Sequence, residues 1–437
     1  MSSDHPTPQP RPRRIHSRQR IRRNFPLLFI DALGWPLGWA IMSPETIAPA
    51  FVLQLTDSPM AVSMIRVVYA VGMWLPILYA PNLIRRVKWR GKYVVGVGMV
   101  ERLPMLVVGL AAPFLAVSDP SKMLLVFFIC WGIRSIAEGV NLSAYASLLD
   151  EGVPETYRGR LWGGSSSLSA VLALPIGFWS AHHLRTQPFP AGYATLFIVG
   201  FLVLAVTLIP LWWVREVRTG RVKVDSAKTG LASMGLLRTD PVFRRFTVMV
   251  VAIGFIDMAV PFYSVHALRT FGLPDSTMGL FAGAQAAAAS VGALAFGLMS
   301  DRVGFRGPLR GALVLGFLAP CAAFLAPAPW AMYPTFALLG AALTTIVMCR
   351  YNMLLEVAPQ GKVPEYSGVF YTTVQPAFAL APFLGSLVVE YLGVRAVFVP
   401  SMVAAVLAII LLRGVPEPRA AASETTGEDP VRNHAQV

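Results

Sequence analysis

Four ionisable side chains stand inside apolar runs of this sequence, and their spacing limits what they can do. In FFICWGIRSIAEGVNLSAY, Arg134 and Glu138 lie four residues apart. On a helix they share a face and can neutralise each other. Asn141 and Tyr145 continue that stripe. In MVVAIGFIDMAVPFY, Asp257 falls about 18 Å along a helix from Arg245, between Gly254 and Pro261. Asp31 repeats the Phe-Ile-Asp context but lies closer to its flanking basic residue, Arg23. An ionised group in lipid costs about 2.5–3.5 kcal/mol, so each needs an ion pair, a polar solute or a proton. Burial of a carboxylate generally favours its neutral form. Asp257 is therefore the first candidate for proton coupling and Asp31 the second. The Arg134–Glu138–Asn141 stripe is either a solute site or a structural ion pair. Trp35, Gln285, Tyr371 and Gln375 are uncharged candidates for the same cavity, placed by helical spacing and depth.

Other charges read as structural or peripheral. Glu101 and Arg102 lie about 14 Å past Lys92, near mid-depth, but being adjacent they face about 100° apart on a helix and suit packing between helices. Arg350 is close enough to the inner surface to snorkel. Counting along a straight helix puts Glu45 about 33 Å past Arg23, at the outer surface, with Arg66 near it.

The elements that must position these groups are membrane helices. Of 437 residues, 55% are hydrophobic and only 14% charged, against about 25% charged in soluble domains. A membrane helix needs about 20 mostly apolar residues. Twelve windows qualify: 25–53, 59–84, 93–116, 123–149, 161–181, 191–214, 245–268, 276–300, 308–327, 330–353, 367–391 and 394–413. The sequence divides into a basic N-tail (1–24), six spans (25–214), a polar linker (215–244), six further spans (245–413) and a C-tail (414–437). RRNFPLLF resembles a twin-arginine export signal, but no small-residue cleavage site follows, so it reads as a retained first span.

Charge sets the orientation. With the N-terminus inside, 29 of the 37 Lys and Arg residues fall on inner segments and only Lys122, Arg185, Arg269 and Arg395 on outer loops. Both termini are therefore expected in the cytoplasm, in a plasma (inner) membrane. The net charge of +14 follows from this distribution rather than from nucleic-acid binding. Cys130, Cys321 and Cys349 sit in apolar runs and offer neither a disulfide framework nor a zinc spacing.

Three echoes occur in the same order in both halves. Phe29–Asp31 returns at Phe255–Asp257, RRVKWRG (85–91) as DRVGFRG (301–307), and LLDEGVPETYRGR (148–160) as LLEVAPQGKVPEYSGV (354–369). Internal symmetry of this kind marks transporters built from repeats. With GLMSDRVGFRG (297–307), the sequence resembles the major facilitator superfamily, whose loops after spans 2 and 8 carry G-x-x-x-D-R-x-G-[RK]. Gly297, Asp301, Arg302, Gly304 and Arg306 match, with Phe305 where a basic residue is usual. VPETYRGR is similar to the loop the family carries after span 4. The resemblance implies an all-α fold of twelve transmembrane helices in two six-helix pseudo-symmetric bundles, around a cavity that opens to each side in turn. RSIAEG only partly matches the R-x-x-Q-G of drug antiporters. APFLG (381–385) is nearer to the antiporter G-P-x-x-G than LPIG (174–177), yet lies in the other half; this tilts the reading slightly toward export.

The loop residues suggest gates. Asp301, with Arg302 and Arg306 beside it, is expected to latch onto Arg158 or Arg160 when the cytoplasmic side closes. The first-half copy has Arg85 at the aspartate position and Lys88 at a glycine position. The acid latch therefore does not carry over, and a swapped pair, Arg85 with Glu365, is expected instead. Taken together, these features point to a secondary active, proton-coupled transporter of a small organic solute. Alternatives are a lipid or amphiphile flippase, a facilitative uniporter or a non-transporting sensor. An enzyme is least expected, because no Walker loop, metal cluster or nucleophile elbow is present. The expected partners are the solute, protons and membrane lipids, with no cofactor or metal and a monomeric chain.

Overall fold

The computed structural model describes residues 18–84, 89–215, 234–359 and 362–417. Among them there is no strand. The first half comprises α1 (Arg18–Ile41), α2 (Ile47–Leu55), α3 (Pro59–Ile84), α4 (Arg90–Leu115), α5 (Pro120–Gly152), α6 (Glu155–Thr186) and α7 (Ala191–Leu208). The second comprises α8 (Leu236–Thr239), α9 (Pro241–Gly254), α10 (Phe262–Phe271), α11 (Thr277–Val303), α12 (Arg306–Leu325), α13 (Met332–Val357), α14 (Val363–Leu392) and α15 (Phe398–Leu412). Ten helical stretches are long and apolar enough to cross a membrane. The two remaining windows, 25–53 and 59–84, are filled by α1 with α2 and by α3. Large apolar side chains face outward, among them Phe114, Val171, Phe178, Leu325 and Leu392. A soluble monomer rarely exposes so much apolar surface; a lipid-facing wall does.

Local chemistry sets the helix ends and breaks. Asp-Pro opens α5 and α9. Asp119 Oδ1 accepts from Lys122 N at 3.0 Å, and Asp240 Oδ1 from Phe243 N at 2.9 Å. Both are N-caps with proline at the first helical position. The first window is not one continuous helix. Its Ser43-Pro44 step ends α1, and Ser43 Oγ accepts from the backbone N–H of Glu45 at 3.3 Å and Thr46 at 3.1 Å. The seventh window is broken as well. A 3₁₀ turn over Phe255–Met258 and then Pro261 separate α9 from α10.

The two halves repeat one packing scheme. In the first, α1 lies against α6 and α7, α4 against α5 and α7, and α3 against α5. In the second, α9 lies against α14 and α15, α12 against α13 and α15, and α11 against α13. The halves meet through α6 with α11 and α3 with α14, which are again symmetric counterparts. Glycine makes the first of these contacts close. A Cβ on Gly177 would come within 2.8 Å of the Gly279 carbonyl oxygen and of Gly283 Cα. Gly279 and Gly283 form a G-x-x-x-G step, the spacing that lets membrane helices approach backbone to backbone.

Candidate functional site

A cavity of about 150 Å³ lies inside the first half, between α1, α3 and α5. Helix α1 supplies Trp35 and Trp39, its broken end Pro44 and Glu45, helix α3 Ile65, Arg66 and Tyr69, and helix α5 Trp131, Arg134 and Glu138. The α5 residues are spaced i, i+3 and i+7, so a single helical face delivers an indole, a guanidinium and a carboxylate.

Arg134 is the centre of this arrangement and is only 4% exposed. Its guanidinium carbon lies 4.1 Å from the ring centroid of Trp39, 4.9 Å from Trp131 and 5.2 Å from Tyr69. Its Nη2 pairs with Glu138 Oε2 at 2.6 Å. Tyr69 OH donates to the other Glu138 oxygen at 3.1 Å. Desolvated rings strengthen cation–π attraction, and the carboxylate neutralises the remaining charge. Trp131 is fixed in turn by donating to the Ile65 carbonyl at 2.9 Å.

Arg66 sits at the other wall, 3.6 Å from Glu45 and 3.4 Å from Asp257. Asp257 belongs to the second half, so this guanidinium joins the two halves. More links lie at the same end of the molecule. Gln54 Nε2 donates to Asp275 Oδ2 at 2.7 Å and Tyr193 OH to the same oxygen at 2.6 Å. Arg269 pairs with Asp57 at 2.9 Å, and Ser264 Oγ donates to the Glu45 carbonyl. The loops at this end are those that the sequence reading expects outside. Straight-helix counting had put Glu45 at the outer surface, away from any central site. The break at Ser43-Pro44 instead brings its carboxylate to the cavity and to Arg66.

A second buried cluster lies behind the first. Arg102 Nη2 is 3.9 Å from Asp31 and Nη1 is 3.5 Å from Glu101. Its Nε and Nη1 donate to the carbonyls of Leu204 and Gly98 at 3.0 and 2.9 Å. This arginine ties α4 to α1 and α7, as the adjacent charges Glu101 and Arg102 suggested for packing. Asn141 donates to Glu101 at 3.4 Å, so it faces α4 and is outside the cavity lining.

The expected second-half solute contacts are elsewhere too. Gln285 is buried where α11 meets α13, its backbone against Gly340. Tyr371 packs beside Phe370, 5.3 Å between centroids, against the second-half core, and Gln375 is buried outside the lining. Arg350 stacks over Phe378 at 4.6 Å, rather than simply extending to the inner surface.

At the opposite end, the side chains of Asp301 and Arg302 and the whole of Arg85 lie outside the described residues. Arg160 stacks on Tyr157 at 5.5 Å. Arg158 and Glu365 lie at the starts of α6 and α14. Arg306 engages its own half. Its backbone N–H donates to Glu417 Oε2 at 2.9 Å and its Nη2 to the Arg413 carbonyl at 3.1 Å. Gly304 has φ +78° and ψ −174°, a region essentially reserved for glycine. The Glu417 carboxylate fills the space a Cβ there would need. The opening of the C-terminal segment thus caps α12, where a carboxylate also meets the positive end of the helix dipole. The glycine was visible in the sequence, but its partner, 113 residues later, was not.

Comparison with known proteins agrees with this architecture. Residues 246–435 match the family model described as Major Facilitator Superfamily. No curated protein sequence matches the chain. Among solved structures, a bacterial homologue of the iron transporter ferroportin in an inward-facing state is 15% identical. It aligns over 92% of this chain and 99% of its own, with a TM-score of 0.61. The nucleoside transporter NupG is 10% identical, covering 90% of this chain and 99% of its own, at 0.65. The E. coli fucose:proton symporter FucP is 10% identical, covering 90% and 100%, at 0.60. The sequence pattern of the Major Facilitator Superfamily thus lies in the second half of the chain, and the fold along its whole length is similar to that of these three transporters.

Proposed function

We propose that the protein is a secondary active transporter that moves a small organic solute by alternating access, coupled to protons. The observation that carries this reading is the cavity of Trp35, Trp39, Arg66, Tyr69, Arg134 and Glu138, set beside a charged link between the halves. Charges at that depth are expensive, and lining a solute site justifies their cost. The outer clasp of Arg66–Asp257, Asp57–Arg269 and Gln54–Asp275 corresponds to a conformation closed on that face. Solute entry from that side requires the clasp to part.

Proton coupling is supported by a charge imbalance. The two buried clusters hold five carboxylates, on Asp31, Glu45, Glu101, Glu138 and Asp257, against the three guanidiniums of Arg66, Arg102 and Arg134. Carboxylates that share too few counter-ions in a low-dielectric site cannot all stay ionised. Asp257 remains the first candidate for the exchanging proton, because it alone among the five links the halves. At the cytoplasmic end, the proposed latches are Asp301 with Arg158 or Arg160, and Arg85 with Glu365.

The test is transport in reconstituted vesicles, with and without a pH gradient, after a thermal-shift screen of metabolites and drugs has supplied a ligand. Gradient-driven accumulation is expected, and Asp257→Asn should lose it. Accumulation by Asp257→Asn equal to wild type would refute the proton assignment. Arg85→Glu combined with Glu365→Arg should restore transport lost in either single variant; failure of rescue removes that latch.

A further inference from the structure

The unused hydrogen-bonding groups of the cavity are all of one kind. Three buried N–H groups on its lining have no acceptor in the protein: Arg66 Nε, Arg134 Nε and Trp39 Nε1. The oxygens of the same lining are supplied. Glu138 accepts from Tyr69 and Arg134, and Glu45 accepts from Ser43 Oγ at 3.4 Å. None of the oxygens on Glu45, Tyr69 or Glu138 is among the buried atoms lacking a partner. Buried donors are costly to leave unmade. A surplus of donors is relieved by a ligand that brings oxygen acceptors. An ammonium group, which only donates, leaves it unrelieved.

The two guanidiniums also differ in how firmly they are held. Arg134 meets Glu138 at 2.6 Å, within the range of a strong charge-assisted hydrogen bond. Arg66 meets its carboxylates only at 3.4 and 3.6 Å, longer than a good hydrogen bond. Arg66 is therefore the group that can exchange one carboxylate for another. The remaining walls, Trp35, Ile65 and Pro44, are apolar, and a cavity of about 150 Å³ is the size that accommodates a single six-membered ring.

We propose that this cavity binds a small organic carboxylate carrying one ring. Its oxygens would be held by Arg66, Arg134 and Trp39 Nε1, with its apolar body against Trp35 and Ile65. The site assignment rests on the transport reading only for its consequence. A ligand carboxylate on Arg66 takes the place of Asp257, which loosens the link between the halves and leaves Asp257 as the group that the coupling proton neutralises.

The experiment uses the full-length protein in detergent, titrated with benzoate, benzamide and benzylammonium, three probes that share a ring and differ in charge. Thermal unfolding and intrinsic tryptophan fluorescence are the readouts, since three tryptophans line the site. Benzoate is expected to give a saturable rise in unfolding temperature, with benzamide at least about tenfold weaker and benzylammonium silent. Arg66→Lys, which keeps the charge but loses Nε, should weaken benzoate about tenfold. Trp39→Phe, which keeps a ring but loses the donor, should weaken it severalfold. These two mild variants carry the test should Arg134→Gln fail to fold. Benzylammonium binding as well as benzoate, benzoate binding unchanged in both variants, or no response to millimolar benzoate would each overturn the assignment. Binding is read without a membrane. A protein that binds benzoate yet moves no solute in vesicles would refute the transport reading and leave the site standing. Transport of an amine with no benzoate response would do the reverse.

Discussion

Arg66 offers the sharpest test of how the halves are held. It lies 3.4 Å from Asp257 across the divide and 3.6 Å from Glu45 within its own half, and all three side chains are 14% exposed. At an effective dielectric constant of about 20, a 3.4 Å pair has a gross attraction of about 5 kcal/mol, most of it offset by desolvation. Asp257→Asn removes the crossing charge but leaves Arg66 its Glu45 partner, so the loss is that of one loose ion pair, about 1 kcal/mol. That shifts the closed-to-open ratio of the outer face by roughly fivefold. Arg66→Gln leaves Glu45 and Asp257 facing each other without a cation and should cost more, about 3–5 kcal/mol. Neutralising all three, as Arg66→Gln with Glu45→Gln and Asp257→Asn, should recover stability without restoring closure. The assay is the spin-label distance between Ser118→Cys and Pro274→Cys, exposed outer-end positions on opposite halves, with the three native cysteines replaced. A growing long-distance population is expected in the order wild type, Asp257→Asn, Arg66→Gln. Unchanged distances in both variants, with the fold intact by circular dichroism, would refute the clasp.

Three pairs of substitutions separate packing from function. Arg134→Ala strands Glu138 in a buried site and should cost about 3–5 kcal/mol, whereas Glu138→Gln keeps an acceptor for Tyr69 and leaves Arg134 on its three rings; thermal unfolding should rank them in that order. Gly304→Ala should cost about 1–3 kcal/mol for its backbone region alone and expel Glu417, while Glu417→Gln should be milder; equal stability of Gly304→Ala and wild type would remove the capping role. Gly283→Leu places a large side chain where α6 and α11 touch and should abolish a monodisperse elution peak in gel filtration, an effect not expected of Ala295→Leu at an exposed position of the same helix if backbone approach at the glycines is what matters.

The architecture was legible because membrane helices are specified by length and apolarity. Ten of the twelve windows hold helical stretches long enough to span, α1 with α2 and α3 fill the other two, and the three ordered echoes are consistent with the repeated packing scheme. The Arg134–Glu138 pair was legible for a similar reason, since its i, i+4 spacing needs no tertiary information. Asn141 shows where stripe reasoning fails. It shares the face of Arg134 but stands two turns, about 10.5 Å, further along α5, where it meets Glu101 on α4. Gln285 is placed by depth and Tyr371 and Gln375 by helical spacing, and neither says which face of a helix meets the cavity.

The link between the halves was not legible, in part for one physical reason. Depth counted at 1.5 Å per residue assumes a straight helix, and the windows that carry Glu45 and Asp257 are both broken, although Arg66 stands on the continuous α3. The Ser43-Pro44 step lets Glu45 point inward from a position that counting puts at the surface. The 3₁₀ turn over Phe255–Met258, relieved by Pro261, sets Asp257 facing Arg66 rather than its own bundle. Proline and serine at the first break, and Gly254 and Pro261 at the second, were all visible in the sequence. Each break lies within a span and carries a carboxylate that reaches Arg66. A charge placed at such a break is sensitive to both solute and conformation, and that is why the Arg66–Asp257 contact, rather than the stronger Arg134–Glu138 pair, is the one to perturb first.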